Sequence, residues 1–188
     1  MSGDVRVAME ELSPLLLDCL QHGQEVVLTV TGNSMFPFLR HRRDQVVLVQ
    51  TDGRALQPGD VSLYRRRSGQ YVLHRVVARD DGHTRQVLGE SEPLPTADAG
   101  GPLQYTMLGD AQTELEHGIG PDQILAVARA FYRKGKTWAC DGVAYQRYVR
   151  RWHRLLPWRR PLVFVSHLPY RVAGKFKKLF CKRAGETG

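Results

Sequence analysis

EVVLTVT, residues 25–31, leads into the turn Gly32-Asn33-Ser34, and this stretch decides the fold. Its β-branched residues predict a strand, and glycine and asparagine directly after it are typical of a turn. Pro37 lacks a backbone N–H and cannot continue the strand. We therefore expect a strand whose end presents Ser34 in a turn.

Further short β-rich runs follow as far as Lys136, separated by turns of Gly, Pro and Asp. The runs are Gln45–Gln50, Val61–Arg66, Gln70–Arg79, Gln104–Leu108 and Ile124–Arg133. Strands of this length and spacing predict a mainly β fold built on a coiled antiparallel sheet. Glu90–Gly101 is rich in Pro, Ala, Asp and Gly without periodicity, so we expect a surface insertion there.

A helix is predicted before the sheet. Val5–His22 repeats apolar residues near a helical period, and Gly23 is a stop signal. Pro14 predicts an interruption, with Ser13 capping the second part.

Charge divides the chain near the end of the β-rich region. Residues 1–132 hold 12 basic and 17 acidic side chains, whereas residues 133–188 hold 15 basic and 2 acidic ones. The sequence therefore predicts a β domain over residues 1–136 and a basic amphipathic helical tail over residues 137–188. Truncation after Lys136 is expected to leave a folded core.

The tail contains two amphipathic segments, Tyr145–Leu156 and Arg171–Lys182. Arginine interleaved with Trp and Tyr suits an anionic membrane surface, because aromatic rings lie at the headgroup level and basic side chains bind anionic lipid. We rank contact with nucleic-acid phosphates below contact with lipid. A third interpretation is a helix packed on its own domain with a solvated arginine face.

Cysteine usage and the N-terminus indicate the compartment. Cys19, Cys140 and Cys181 are odd in number and widely spaced, which fits neither a disulfide framework nor a zinc site. The N-terminal region is acidic where a signal peptide is basic, and no apolar run reaches the roughly 18 residues of a membrane span. We expect a cytoplasmic protein, peripheral to the membrane if the tail binds lipid, without a metal or cofactor.

Ser34, His74 and Asp110 occur in an order that suits nucleophilic catalysis. A serine hydroxyl needs a base within hydrogen-bond reach, and the base needs a third group that fixes its tautomer and stabilises its charged form. His74 lies in the run Leu73-His74-Arg75-Val76, and Asp110 ends the run Leu108-Gly109-Asp110. These residues could supply the nucleophile, the base and the orienting acid.

The motifs resemble those of signal peptidases and LexA-like serine peptidases, whose nucleophile lies in an SM-x-P turn, here Ser34-Met35-Phe36-Pro37. The LexA-like and bacterial type I branches use a lysine base, but the first lysine here is Lys134, beyond the strand that should carry it. The branch of endoplasmic-reticulum and archaeal signal peptidases uses histidine in an HRV motif, then a GD acid and a second acid six residues on. His74, Asp110 and Glu116 match that pattern, which implies catalysis by Ser34, His74 and Asp110 with Glu116 as a secondary acid.

Other positions beside the nucleophile take their expected roles from the resemblance. The residue two before the nucleophile is usually a serine that helps an oxyanion hole, but here it is Gly32. The backbone N–H of Ser34 and the Asn33 amide are then the candidate oxyanion donors. Met35 and Pro37 are expected to shape the substrate cleft or to pack locally.

The resemblance implies a serine endopeptidase that cuts an extended, leader-like or signal-like segment of a peptide or protein substrate. The alternative is a noncatalytic peptide- or nucleic-acid-binding module on the same fold. A self-cleaving regulator of the LexA type is disfavoured because the lysine base is missing.

Overall fold

The structure, a computed structural model, describes residues 9–96 and 99–154 of the 188-residue chain. These residues form ten β-strands and two α-helices. In chain order the elements are α1 (Met9–Gln21), β1 (Val26–Thr29), β2 (Gln45–Gln50), β3 (Val61–Arg65), β4 (Tyr71–Asp80), β5 (Thr84–Val87), β6 (Leu94–Pro95), β7 (Gln104–Leu108), β8 (Glu116–Ile119), β9 (Ile124–Arg133), β10 (Lys136–Ala139) and α2 (Val143–Arg154). The predicted mainly β fold is confirmed.

The strands form one antiparallel sheet in the order β1-β2-β9-β3-β4-β5-β6, with β10 paired to β9 and β7 joining β4 to β8. β4 pairs with three strands and carries two consecutive polar residues of the HRV motif. His74 lies opposite Ser62 of β3, and Arg75 lies opposite Leu108 of β7. Because side chains alternate along a strand, His74 and Arg75 project from opposite faces of β4.

The core lies where β3, β4, β7, β8 and β9 meet. Its buried members are Leu56, Tyr64, Val72, Val76, Tyr105, Met107, Ile119 and Ile124. Complete burial of one large apolar side chain contributes roughly 1.5–3 kcal/mol to the free energy of unfolding. This cluster therefore supplies a rigid support for the polar residues that the same strands carry.

The sequence patterns predicted several elements closely. The predicted runs for β2, β7 and β9 have the bounds that the structure shows, and the expected N-terminal helix is present as α1. Pro14 lies inside α1 and does not interrupt it. It occupies the second turn, where its missing N–H removes only the hydrogen bond to a carbonyl of the first turn. The short strands β5, β6, β8 and β10 were not predicted.

α2 packs on the β domain through its aromatic and apolar face. Tyr145 and Val149 are buried, and the Tyr148 ring stacks on Phe38 with 4.6 Å between ring centroids. The arginines of α2, Arg147, Arg150, Arg151 and Arg154, are exposed. For this segment the structure shows the third interpretation of the tail, a packed helix with a solvated arginine face.

The compact unit that contains the sheet extends to Arg154, beyond the boundary after Lys136 that the sequence suggested. The physical reason is the burial of the aromatic side chains of α2 against the domain. The second amphipathic segment, Arg171–Lys182, lies outside the described residues. Within the described ranges, neither α1 nor α2 is long and apolar enough to cross a bilayer.

We therefore expect the two possible truncations to behave differently. A chain ending at Lys136 loses Trp138, Tyr145 and Val149, and should be destabilised by several times the roughly 1.5–3 kcal/mol of one buried side chain. A chain ending at Arg154 keeps these contacts and should unfold at a urea concentration close to that of the full chain. Urea titration followed by far-UV circular dichroism measures both, since a chain ending at Lys136 has no tryptophan, and equal midpoints for the two truncations would contradict the assignment of α2 to the domain.

Candidate active site

Ser34 lies in a loop that leaves the sheet after β1 and returns at β2, which we call the nucleophile loop, residues 31–43. Hydrogen bonds between Val30 and Asp44 at 2.9 Å and between Arg42 and Val30 at 2.8 Å close its base. The carboxylate of Asp44 is buried and accepts a bond from the backbone N–H of Arg40 at 2.9 Å. The loop is thereby fixed at its base while Ser34 itself stays half-buried.

The residues close to Ser34 in the chain differ in their exposure to solvent. Met35 is only 1% exposed, so its side chain packs inside the domain and does not line an open cleft. Pro37 is half-buried, whereas Asn33 is exposed beside Ser34. The exposure of Asn33 leaves it accessible to a substrate, and its role as an oxyanion donor stays a prediction.

The turn after β7 holds the nucleophile loop by its backbone. The N–H of Ala111 donates to the carbonyl oxygen of Ser34 at 2.7 Å. A Cβ atom on Gly109 would lie 2.7 Å from that same oxygen, so a side chain at position 109 would push the two segments apart. Glycine is therefore required in the GD motif by the close approach of Ser34.

His74 is buried in β4, and its Nδ1 atom faces two oxygens. The Tyr64 hydroxyl oxygen is 3.2 Å away and Glu116 Oε1 is 3.3 Å away. The Tyr64 hydroxyl donates its own proton to Glu116 Oε2 at 2.8 Å, so towards His74 its oxygen can only accept. A carboxylate is likewise only an acceptor. The network therefore assigns the ring proton to Nδ1 and leaves the lone pair on Nε2, the tautomer that a general base needs.

Glu116 is held in place by Tyr64 of β3 and by Arg66, the residue that follows β3. Arg66 donates from Nε to Oε2 at 2.8 Å, and its Nη2 pairs with Oε1. Burial opposes ionisation of this carboxyl, but the hydrogen bonds from Arg66 and Tyr64 outweigh burial and lower the Glu116 pKa. Glu116 is therefore an oriented carboxylate beside His74.

Burial dominates the titration of His74. Desolvation lowers the pKa of the imidazole to about 4, against the favourable charge of Glu116 and with a further lowering by Arg66. The ring is therefore neutral near pH 7. A neutral ring can accept a proton at Nε2 without first losing one.

Asp110 is buried and engages the opposite face of β4. Arg75 donates to it twice, from Nε to Oδ1 at 3.0 Å and from Nη2 to Oδ2 at 2.9 Å. Tyr148 of α2 donates to Oδ2 at 3.1 Å. The carboxylate that contacts His74 Nδ1 is therefore Glu116, whereas Asp110 forms an ion pair with the residue that follows His74.

The structure brings the three motifs together through their neighbours. Ser34 is bonded to Ala111, Asp110 is paired with Arg75, and Arg75 adjoins His74 in β4. The hydrogen bonds of the described residues include none between the Ser34 hydroxyl and the His74 ring. Catalytic hydrogen bonds are often long without substrate and shorten in the complex.

Four side chains of this site were not predicted from the sequence. They are Tyr64 on β3, Arg66 directly after β3, Arg75 on β4 and Tyr148 on α2. Arg75 was visible inside the HRV motif, but nothing in the motif indicated its partner. Tyr64 and Arg66 lie about 50 residues before Glu116, so no local pattern links them.

The described ranges contain no group of three or more His, Cys, Asp or Glu side chains that could hold a metal ion. Comparison with protein-family models and with curated proteins finds no match for this chain. Function is therefore inferred from the geometry of the site.

The buried histidine should make stability depend on pH. Its pKa is about 4 in the folded protein and about 6.5 when unfolded, so the unfolded chain binds the extra proton between these values. The contribution of neutral His74 is thus present above pH 6.5 and lost as the pH falls to 4, by up to about 1.4 kcal/mol per pH unit. Urea titrations at several values from pH 4 to 7 give the free energy of unfolding at each pH. This free energy should change less with pH for His74→Gln than for the wild type. The same dependence of the free energy of unfolding on pH in both proteins would refute burial of a neutral ring.

Proposed function

We propose that the chain is a serine endopeptidase in which Ser34 is the nucleophile, His74 the general base and Glu116 the acid that orients His74. The observation that carries this proposal is the arrangement at His74 Nδ1. Both partners of Nδ1 are acceptors, at 3.2 and 3.3 Å, so Nε2 is unprotonated. A buried histidine with a fixed tautomer and an adjacent carboxylate is the arrangement on which triad chemistry depends.

In the proposed reaction the Ser34 hydroxyl oxygen attacks the carbonyl carbon of the scissile peptide bond as its proton passes to His74 Nε2. The tetrahedral intermediate collapses, the C–N bond breaks, and the leaving amine takes the proton from His74. A water molecule then attacks the ester on Ser34, giving its proton to Nε2, and the acid product and the free hydroxyl are released. The amine product carries away the proton of Ser34, a proton from the water replaces it through His74, and one water is consumed for each bond cut; no cofactor takes part.

Glu116 offsets the cost of forming a buried imidazolium. A charged His74 is disfavoured by burial, and the nearby carboxylate opposes that effect. Tyr64 and Arg66 hold Glu116, so the charge that His74 needs is already oriented before reaction. Such preorganised charge is the kind of stabilisation that enzymes commonly use.

The substrate class is inferred from the sheet. β1 is an edge strand of the sheet and leads directly into the nucleophile loop. An edge strand has unpaired backbone groups on one side, which an extended peptide can bind as an added strand. We therefore propose an extended segment of a peptide or protein, leader-like or signal-like, as the substrate.

A role of α2 at a membrane surface would depend on its charged side chains. The aromatic face of α2 is packed on the domain, so its exposed arginines are the groups that would meet an anionic lipid surface in a cytoplasmic setting. The alternative function is noncatalytic peptide binding at the same edge. The observation that favours it is the missing hydrogen bond between the Ser34 hydroxyl and His74 in the described part of the chain.

Removing the nucleophile tests the enzyme proposal. Incubation with a proteome-derived peptide library, followed by mass spectrometry of new termini, should show cleavage by the wild type. Ser34→Ala and His74→Ala should each lower kcat by up to roughly 10⁶-fold, and the double variant should be scarcely worse, because the two groups act as a unit. Ser68→Ala, in the exposed β3–β4 turn, is the matched control and should cut normally. Cleavage at the wild-type rate by Ser34→Ala would exclude Ser34 as the nucleophile, whereas peptide binding without cleavage by the wild type would favour the binding module.

Two acid variants separate the roles of Glu116 and Asp110. Glu116→Gln removes the charge beside His74 and should lower kcat by up to about 10⁴-fold. Asp110→Asn leaves buried Arg75 without its ionic partner and should lower the free energy of unfolding by roughly 3–5 kcal/mol. Steady-state kinetics and urea midpoints should be measured on both variants. A folded Asp110→Asn variant with the larger loss of kcat would instead make Asp110 the orienting acid.

A further inference from the structure

α2 contacts both halves of the candidate active site. Its Tyr148 ring stacks on Phe38 of the nucleophile loop, with centroids 4.6 Å apart, and its hydroxyl donates to Asp110 Oδ2 at 3.1 Å. Tyr145 packs against Phe38 with centroids 5.4 Å apart, and its hydroxyl accepts from Arg75 Nη1 at 2.8 Å. Each tyrosine thus has an apolar contact to the loop and a polar contact to the ion pair.

The ion pair transmits this contact to Ser34. Asp110 is fixed by Arg75 and by Tyr148, and the next residue, Ala111, donates its N–H to the Ser34 carbonyl at 2.7 Å. Because a Cβ atom on Gly109 would lie 2.7 Å from the same carbonyl oxygen, the turn and Ser34 are in close approach, and a movement of the turn displaces Ser34. A shift of Asp110 therefore becomes a shift of the nucleophile.

Arg75 is held by further hydrogen bonds, which restrain the ion pair. Besides Asp110, its Nη1 donates to the carbonyl of Gly59 at 2.8 Å and to the Tyr145 hydroxyl. Arg75 and Asp110 are each only 1% exposed, so water cannot replace a lost partner cheaply. Removing one tyrosine hydroxyl thus leaves a buried charge less well held.

We propose that Tyr145 and Tyr148 are positioning residues, through which α2 holds the Arg75–Asp110 pair and so places Ser34 for attack. Their hydroxyls contact Arg75 and Asp110, and their rings contact Phe38, so they are proposed to act through these residues. Tyr→Phe substitutions keep the rings that pack on Phe38 and remove only the hydroxyls. The effect on the rate rests on the proposed function, whereas the effect on the Ser34–Ala111 hydrogen bond does not.

Amide hydrogen exchange of the full-length protein tests the coupling without a substrate. The N–H of Ala111 reports the bond to Ser34, and the N–H of Val76, which donates to Asp60 at 2.8 Å, is the reference amide in the core. In Tyr145→Phe/Tyr148→Phe, exchange of Ala111 relative to Val76 should rise about tenfold. Val149→Ala, a buried apolar control on α2, should shift both amides by the same factor. The proposal would be overturned if the ratio of the Ala111 exchange rate to the Val76 exchange rate were unchanged in the double variant. It would also be overturned if Val149→Ala raised that ratio by the same factor as the double variant.

Kinetics on a library peptide that the wild type cuts supplies the second measurement. The double tyrosine variant should lose about tenfold in kcat with KM unchanged, and Tyr148→Phe alone should lose less. Val149→Ala should keep kcat at temperatures where it is folded. A wild-type kcat in the double variant would overturn the positioning role while leaving the enzyme proposal intact. Absence of cleavage by the wild type would reject the enzyme proposal and leave the exchange result as the test of the coupling.

Discussion

The buried ion pair of Arg75 and Asp110 is the interaction on which the arrangement of the site depends. Two charges removed from water are costly unless every partner is present. Here Arg75 binds both oxygens of Asp110, the Gly59 carbonyl and the Tyr145 hydroxyl, while Asp110 also accepts from Tyr148. The pair thereby joins β4, the turn before β3, the turn after β7 and α2.

The two faces of β4 have different roles, since one supports the site and the other carries the proposed general base. Arg75 projects from one face and fixes the turn that holds Ser34, whereas His74 projects from the other and meets Glu116. Adjacent residues of one strand can serve both purposes only because their side chains alternate. Buried charge on the first face does not disturb the histidine strongly, since Asp110 is the least of the effects on the His74 pKa, after burial, Glu116 and Arg66.

Much of the sheet could be predicted from the sequence because its strands are bounded by Gly, Pro and Asp turns. The bounds of β2, β7 and β9 follow directly from their runs of β-branched, aromatic and other apolar residues. β8, Glu116–Ile119, contains a charge, a histidine and a glycine, and becomes a strand only by pairing with β7. Such tertiary pairing leaves no local pattern.

The site was predictable as a set of motifs, but its pairings were not. Ser34, His74, Asp110 and Glu116 were all identifiable from the sequence, yet the partner of each acid depends on the strand face, which spacing along the chain does not give. Asp110 follows Leu108, which lies opposite Arg75, and this register places Asp110 beside Arg75. Two further partners of the ion pair, Tyr145 and Tyr148, come from α2, which the charge pattern alone assigned to the tail.

The placement of Tyr64 and Arg66 has a consequence for how the sheet can assemble. The two residues are two positions apart, so in an extended chain they lie on one face, and the pairing of Ser62 with His74 turns that face towards Glu116. A slip of β3 by one residue would exchange Tyr64 for Leu63 or Arg65 at the half-buried carboxylate of Glu116 and break the hydrogen bond from Tyr64. The polar groups proposed for catalysis thus also select the correct strand alignment during folding, in a stretch where a run of apolar neighbours would tolerate either register.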